Sequence, residues 1–250
     1  MAEEVRDKSR GAVNLVTAVI IAVALVVVGF AAWKVLTNKD DDVNSKAAIA
    51  ATDKKAEQDC NAQYDDKDKD FCKFASRRTG NLSYEATITT TANGTASITK
   101  TTTDGKDNSS LIVFLNSKEV ASFVLLNGVT YKKDYTDNKW QKLAAGDPDS
   151  LKAAPKNPAS SIKIYTKSDT TAETERLTYT ANKKEPCGSL TCFKYELKDP
   201  QNPSTKQFIW FDDNNYRLMR YSTSDITNNT SSDTTYAYRD IAVPQPSPVK

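Results

Sequence analysis

Leu82-Ser83-Tyr84-Glu85-Ala86-Thr87-Ile88-Thr89, followed by Asn93-Gly94 and then by residues 95–103, is the stretch that decides the fold. Leu82, Tyr84, Ala86 and Ile88 alternate with Ser83, Glu85, Thr87 and Thr89. That is the period of a strand with one covered face and one wet face. The β-branched residues among them suit a pleated, half-buried surface. Asn-Gly is the strongest short hairpin signal, because both central residues of the tight turn take positive φ. Residues 95–103 are then the returning strand.

The pattern continues along the chain. Asp104-Gly105 begins a second turn, and LIVFL at 111–115 and ASFVLL at 121–126 are joined by a polar link at 116–119. Asn127-Gly128 leads into 129–135, and Thr136-Asp137-Asn138-Lys139 into 140–143. Residues 147–159, with three prolines, interrupt the meander. Strands are predicted again at 162–166, 175–181, 191–198, 206–212, 216–222 and 234–242. About twelve strands with short links predict a mainly β chain with some α, an antiparallel and largely up-and-down sheet curled into a half-barrel.

Two kinds of strand differ in what they need. LIVFL, ASFVLL and the FIWF of 208–211 do not alternate, so they require apolar cover on both faces. The cover is either the chain's own helices or a hydrophobic ligand. In the second case Leu111, Val113, Leu115, Phe123, Leu125, Ile209 and Phe211 are the candidates to line an apolar cavity. Sequence does not fix the parity of each strand, so these seven represent a choice of one face.

Residues 11–33 are 23 positions without a charge. As a helix at about 1.5 Å per residue they span roughly 35 Å, enough for a hydrocarbon core of about 30 Å. A cleaved signal peptide has a shorter apolar run and a small-residue cleavage site, which Gly29-Phe30-Ala31-Ala32-Trp33 supplies poorly. The expected organisation is a cytoplasmic N-terminus at 1–10, a transmembrane signal anchor at 11–36 and a linker at 37–45. An extracytoplasmic β domain at 46–243 and a mobile Pro-rich tail at 244–250 follow. The expected site is the plasma membrane, with the bilayer as a partner.

Four cysteines, Cys60, Cys72, Cys187 and Cys192, point to disulfides in an oxidising space. Four allow three connectivities. The two local pairs, Cys60 with Cys72 and Cys187 with Cys192, each lie within one structural unit and are expected. Asp66-Lys67-Asp68-Lys69-Asp70 resembles the opening of a calcium loop, but Phe71 stands at its glycine position and Arg77 at its final carboxylate position. Residues 47–76 are rich in helix formers, so a solvated turn between two helical pieces, clipped by a disulfide, is the expectation there, and no metal.

Composition removes most chemistry. The chain has 250 residues, a net charge of +2 and no histidine. No imidazole means no Ser-His-Asp or Cys-His machinery, and near-neutrality gives no field that selects nucleic acid. Cys187-Gly188-Ser189-Leu190-Thr191-Cys192 has the wrong spacing for a redox pair, and Asp212-Asp213 would point to opposite faces of a strand. Neither an enzyme nor a cofactor is expected.

Tyr131-Lys132-Lys133-Asp134-Tyr135 turning through Thr136-Asp137-Asn138-Lys139 to Trp140 resembles a hairpin of the LolA/LppX-like lipoprotein-carrier superfamily. Phe208-Ile209-Trp210-Phe211-Asp212 returning through Arg217-Leu218-Met219-Arg220-Tyr221, and Tyr236-Ala237-Tyr238-Arg239-Asp240-Ile241-Ala242-Val243-Pro244, are similar to that family's later strands. The resemblance implies an unclosed antiparallel barrel curled around helices, with an apolar cavity for acyl chains. The anchor and the four cysteines depart from the family and imply a tethered binder of a lipid or lipopeptide, not a shuttle. A pilin-like or other structural cell-surface subunit is the alternative, although Val16 stands where such a subunit carries a Glu.

Overall fold

The computed structural model describes Cys60 and residues 68–250. The expected cytoplasmic segment, anchor and linker (1–45) lie outside the described residues. Among the described residues no helix is long and apolar enough to cross a membrane.

Eleven strands form one antiparallel sheet. The first six are β1 (Tyr84–Ala92), β2 (Thr95–Thr103), β3 (Ser109–Leu115), β4 (Lys118–Leu126), β5 (Val129–Asp134) and β6 (Lys139–Lys142). The other five are β7 (Thr178–Cys187), β8 (Leu190–Lys198), β9 (Thr205–Asp212), β10 (Leu218–Asp225) and β11 (Thr230–Tyr238). Their order is β6-β5-β4-β3-β2-β1-β11-β10-β9-β8-β7. Each group is an up-and-down meander, and the two meet where β1 pairs with β11 from Tyr84↔Tyr238 to Ala92↔Thr230. β6 and β7 are the edges, so the sheet is unclosed. The turns obey the sequence: Asn93 and Gly94 have φ of 49° and 80°, Asn127 and Gly128 of 50° and 77°.

Helix α1 (Lys69–Ser76) starts at Asp68, whose Oδ1 accepts from the N–H groups of Asp70 (3.0 Å) and Phe71 (3.3 Å). Tyr195 also donates to Asp68, and Tyr216 to Asp70 Oδ1 at 3.1 Å. The described part of the acidic run therefore caps a helix and receives tyrosine hydroxyls. Its Asp66 and Lys67 lie outside the described residues.

α1 buries Phe71 and Phe74 in a core with Ala159, Ile162, Tyr195, Leu197, Ile209, Phe211 and Leu218. Phe74 stacks on Phe211 at 4.6 Å between ring centroids, and Phe71 lies 5.4 Å from Tyr195. Each such side chain contributes about 1.5–3 kcal/mol through burial. The link between β6 and β7 carries two short 3₁₀ turns, Pro158–Ser161 and Glu173–Glu175. Asn157 Nδ2 donates to the carbonyls of Arg77 and Thr79, at 3.1 and 3.0 Å, and ties this link to the end of α1.

Three expectations are corrected. Among the described residues there are eleven strands, not about twelve, because residues 162–166 form none. The backbone before them is fixed by Asn157 and by Arg78, which donates to the carbonyls of Ala159 and Ser160, and Ile162 is turned into the core. The strand expected at 175–181 starts at Thr178 and runs to Cys187, because β8 pairs with it from Thr178↔Lys198 to Cys187↔Leu190, across a register shift between Ala181 and Lys184. The tail is not loose. Val243 is buried against Val124 and Leu126, and Val249 forms a parallel bridge with Trp140 on the β6 edge.

The disulfides are Cys60–Cys72 and Cys187–Cys192, with Cα–Cα distances of 5.5 and 5.8 Å. The first ties Cys60 to α1 and the second closes the β7–β8 hairpin.

Candidate functional site

Register assigns every strand residue to a face, since paired residues across an antiparallel sheet share one. One row runs Ala121–Val113–Thr99–Ile88 through β4, β3, β2 and β1. It continues as Thr234–Tyr221–Ile209–Tyr195–Ala181 through β11, β10, β9, β8 and β7. Alternation from this row places Leu111, Val113, Leu115, Phe123, Leu125, Ile209 and Phe211 on the same face, the one on which α1 packs. The inner face has two halves.

In the half made by β7 to β10, Ile209 and Phe211 are fully buried and belong to the aromatic core under α1. These two candidates touch packed protein, and they are corrected from cavity lining to core. The half made by β2 to β5 is of another kind. Leu111, Val113, Phe123 and Leu125 are buried there, and Leu115 is half-buried. None of the five belongs to the α1 core or to the small cluster under Val243.

Between these apolar side chains stand hydroxyls. Thr99, Thr101, Thr103, Ser109 and Thr130 are all buried. Thr103 donates to the carbonyl of Asn108 at 3.1 Å, and Thr130 accepts from the N–H of Leu151 at 3.1 Å. Among the described residues Thr101 Oγ1 and Ser109 Oγ have no hydrogen-bond partner, whereas buried hydroxyls nearly always find one. No sequence signal marks them, because a threonine-rich strand reads the same whichever face it buries.

The seam between the halves is lined by tyrosines. Tyr84 donates to the carbonyl of Pro155 at 2.8 Å and Tyr238 to that of Leu218 at 2.6 Å. Tyr221 donates to Gln207 Oε1 at 2.7 Å. Desolvation pushes the Tyr84 and Tyr238 phenols up, and Tyr221 up to about 12. All three stay protonated as neutral donors. In the rows crossing β1 to β4 on this face Lys118 stands opposite Leu115 at the start of β4, and Lys132 on β5 pairs with Asp149 at 2.6 Å. Between them Leu111, Val113, Phe123 and Leu125 form a stretch of wall whose own side chains are uncharged.

A cleft of about 440 Å³ lies at the β5–β6 edge, lined by Lys132, Lys133, Asp134, Tyr135, Gln141, Leu143, Asp147 and Asp149. Its lining is ionic and therefore ill-suited to an acyl chain. Among the described residues no group of three or more His, Cys, Asp or Glu is arranged to hold a metal ion.

No known family profile and no curated protein matches the chain. Among solved structures it is similar to the lipoprotein LppX of Mycobacterium tuberculosis, with 13% identity and a TM-score of 0.42 over 80% of this chain and 100% of LppX. A LolA superfamily protein from Nitrosomonas europaea has 10% identity and a TM-score of 0.26 over 66% of this chain and 88% of its own. MucB in the Pseudomonas aeruginosa MucA/MucB complex has 12% identity and a TM-score of 0.37 over 65% and 53%. The hairpins at 131–143 and 208–221, which resemble those of the LolA/LppX-like superfamily in sequence, are here β5–β6 and β9–β10 of the unclosed sheet. The likeness to these solved structures says nothing of a ligand.

Proposed function

We propose that this chain is a non-catalytic, membrane-tethered domain that binds a lipid or other hydrophobic ligand at the cell envelope, against the β2–β5 half of its inner face. One observation carries the reading. Leu111, Val113, Phe123 and Leu125 form an apolar, uncharged wall that stands apart from the aromatic core under α1. Binding sites of this kind are mostly apolar, with a few polar groups that fix orientation, and Thr101 and Ser109 supply such groups. Tethering rests on the 23 uncharged residues at 11–33, and an extracytoplasmic location on two disulfides.

Native mass spectrometry with lipid extraction on the purified protein tests it. The expected result is co-purified lipid and uptake of a fluorescent fatty acid. Protein that carries no lipid and takes up no probe would leave a plain structural domain, the pilin-like alternative.

A further inference from the structure

The inner face does not end at its apolar wall. Pairing carries one row from the wall to the sheet edge, Thr101–Leu111–Phe123–Lys132–Gln141, through β2, β3, β4, β5 and β6. Neighbouring strands lie about 4.8 Å apart, so the row changes from apolar to polar within one strand spacing, between Phe123 and Lys132. Lys132 Nζ lies 5.7 Å from the centre of the Phe123 ring. At that polar end the cleft of about 440 Å³ opens, with Lys132 and Gln141 in its lining beside Asp147 and Asp149. The volume suits a bound group of small-molecule size.

Most charges in the lining already have partners. Lys132 pairs with Asp149 at 2.6 Å, Lys133 with Glu119 at 3.2 Å, and Asp134 with Lys250 at 2.8 Å. Two groups keep open capacity. Asp147 has no cationic partner among the described residues, and its Oδ1 accepts from the N–H of Asp149 at 2.8 Å while Oδ2 is left over. The exposed Gln141 carboxamide offers a donor and an acceptor, and no side-chain hydrogen bond engages it among the described residues. An anionic headgroup would have to separate Lys132 or Lys133 from its carboxylate and lie against Asp147. An ammonium would answer Asp147 and leave the carboxamide unmatched. Hydroxyls answer both, because each donates to a carboxylate and accepts from an amide, and the ion pairs stay closed.

We propose that the cleft at the β5–β6 edge is a headgroup site, and that the ligand is an amphiphile with an uncharged, hydroxyl-rich headgroup held by Gln141 and Asp147. Its chain leaves the cleft over Phe123 and lies along Leu111. This rests on the binding wall proposed above and adds the selection that the wall lacks. An apolar surface accepts any chain, whereas the cleft discriminates between headgroups.

The test uses the full-length chain and three probes of matched chain length: dodecyl glucoside, dodecyltrimethylammonium and dodecanoate. Each is kept below its micelle-forming concentration and read by displacement of a fluorescent fatty acid. The glucoside should bind about tenfold more tightly than the other two, the factor expected of about one or two net hydrogen bonds. Gln141→Leu should remove most of that advantage and leave the affinities of both charged probes unchanged. Asp147→Ala should also weaken the glucoside, and both variants should keep the wild-type melting temperature, since neither residue is buried. Equal affinity for the three probes, tighter binding of either charged one, or a glucoside preference that survives both variants would overturn the headgroup site and leave the wall standing. Failure of the wild-type chain to bind any probe would overturn the wall itself, and the headgroup site with it.

Discussion

Val113 and Ile209 stand on one row of one sheet and point to the same face, yet their surroundings have little in common. Around Ile209 are aromatic rings: Phe211 stacks on Phe74 and lies 5.2 Å from Tyr195, and α1 covers them all. Around Val113 are Thr99 and Ala121 in its own row, with Leu111 and Leu115 on the same strand. The aromatic half fills itself with large rings that interlock. The other half offers mostly aliphatic side chains interrupted by hydroxyls, two of them without a hydrogen-bond partner among the described residues. Burial alone does not separate the halves, since both residues are nearly inaccessible. Shape and hydrogen bonding do.

The sharpest way to break this comparison places the same charge in each half. Ile209→Asp buries a carboxylate in packed aromatic core, and destabilisation by several kcal/mol is expected, read as loss of the cooperative melting transition. Val113→Asp and Phe123→Asp should instead abolish uptake of a fluorescent fatty acid while lowering the melting temperature far less. Equal unfolding by all three variants would make the halves one core and remove the binding wall.

A smaller effect sharpens the aromatic side. Asp68→Ala removes the helix cap and the hydrogen bond that the Tyr195 hydroxyl donates to Asp68. A loss of about 1–2 kcal/mol is expected in chemical denaturation, with fatty-acid uptake unchanged. On the aliphatic side Thr101→Val removes an unpartnered hydroxyl. Stability should stay the same or rise by about 1 kcal/mol, because a buried group that makes no hydrogen bond carries a desolvation penalty. Uptake of an ester-bearing probe should fall if that hydroxyl meets the ligand.

The smallest effect lies at the β6 edge, outside both halves. Hydrogen bonds hold Asp134 and Asp137 below their ordinary 3.8, chiefly the Lys250 side chain for Asp134 and the Lys139 N–H for Asp137. The same contacts hold Lys250 above its ordinary 10.5. Lowered carboxyls contribute above 3.8 and lose the contribution as pH falls through their folded values. A raised amine contributes below 10.5 and loses it as pH climbs through its folded value. The tail should therefore stay docked between those limits and loosen outside them, which Trp140 fluorescence and proteolysis of the tail would report.

Much of this was legible in the residues, and the rest failed for identifiable reasons. Asn93-Gly94 and Asn127-Gly128 turn as their chemistry requires, and the alternation from Leu82 to Ile88 is the alternation of β1. The seven apolar candidates fall on one face because the strands that carry them obey strict period two. Which of them is core was not legible. That depends on α1, and the helix formers of 47–76 do not record which strands α1 packs against. Residues 162–166 look like a strand, but the turn just before them is held by the distant end of α1: Arg78 donates to the carbonyls of Ala159 and Ser160, and Asn157 to those of Arg77 and Thr79. The tail's partner, Trp140, is farther still, and no periodicity in either segment records it.

The pairing of β1 with β11 also governs the order in which the chain can assemble. Every other strand pair in the sheet joins neighbours in sequence, apart from this one. Hairpins between neighbours close quickly, whereas a contact between distant positions waits on the loss of chain entropy. The first meander can therefore collapse while the second is still emerging from the ribosome. The seam from Tyr84 to Ala92 must then wait, as an open template, for the last strand to arrive. During synthesis that exposed edge is where the nascent chain is most vulnerable to pairing with the wrong neighbour.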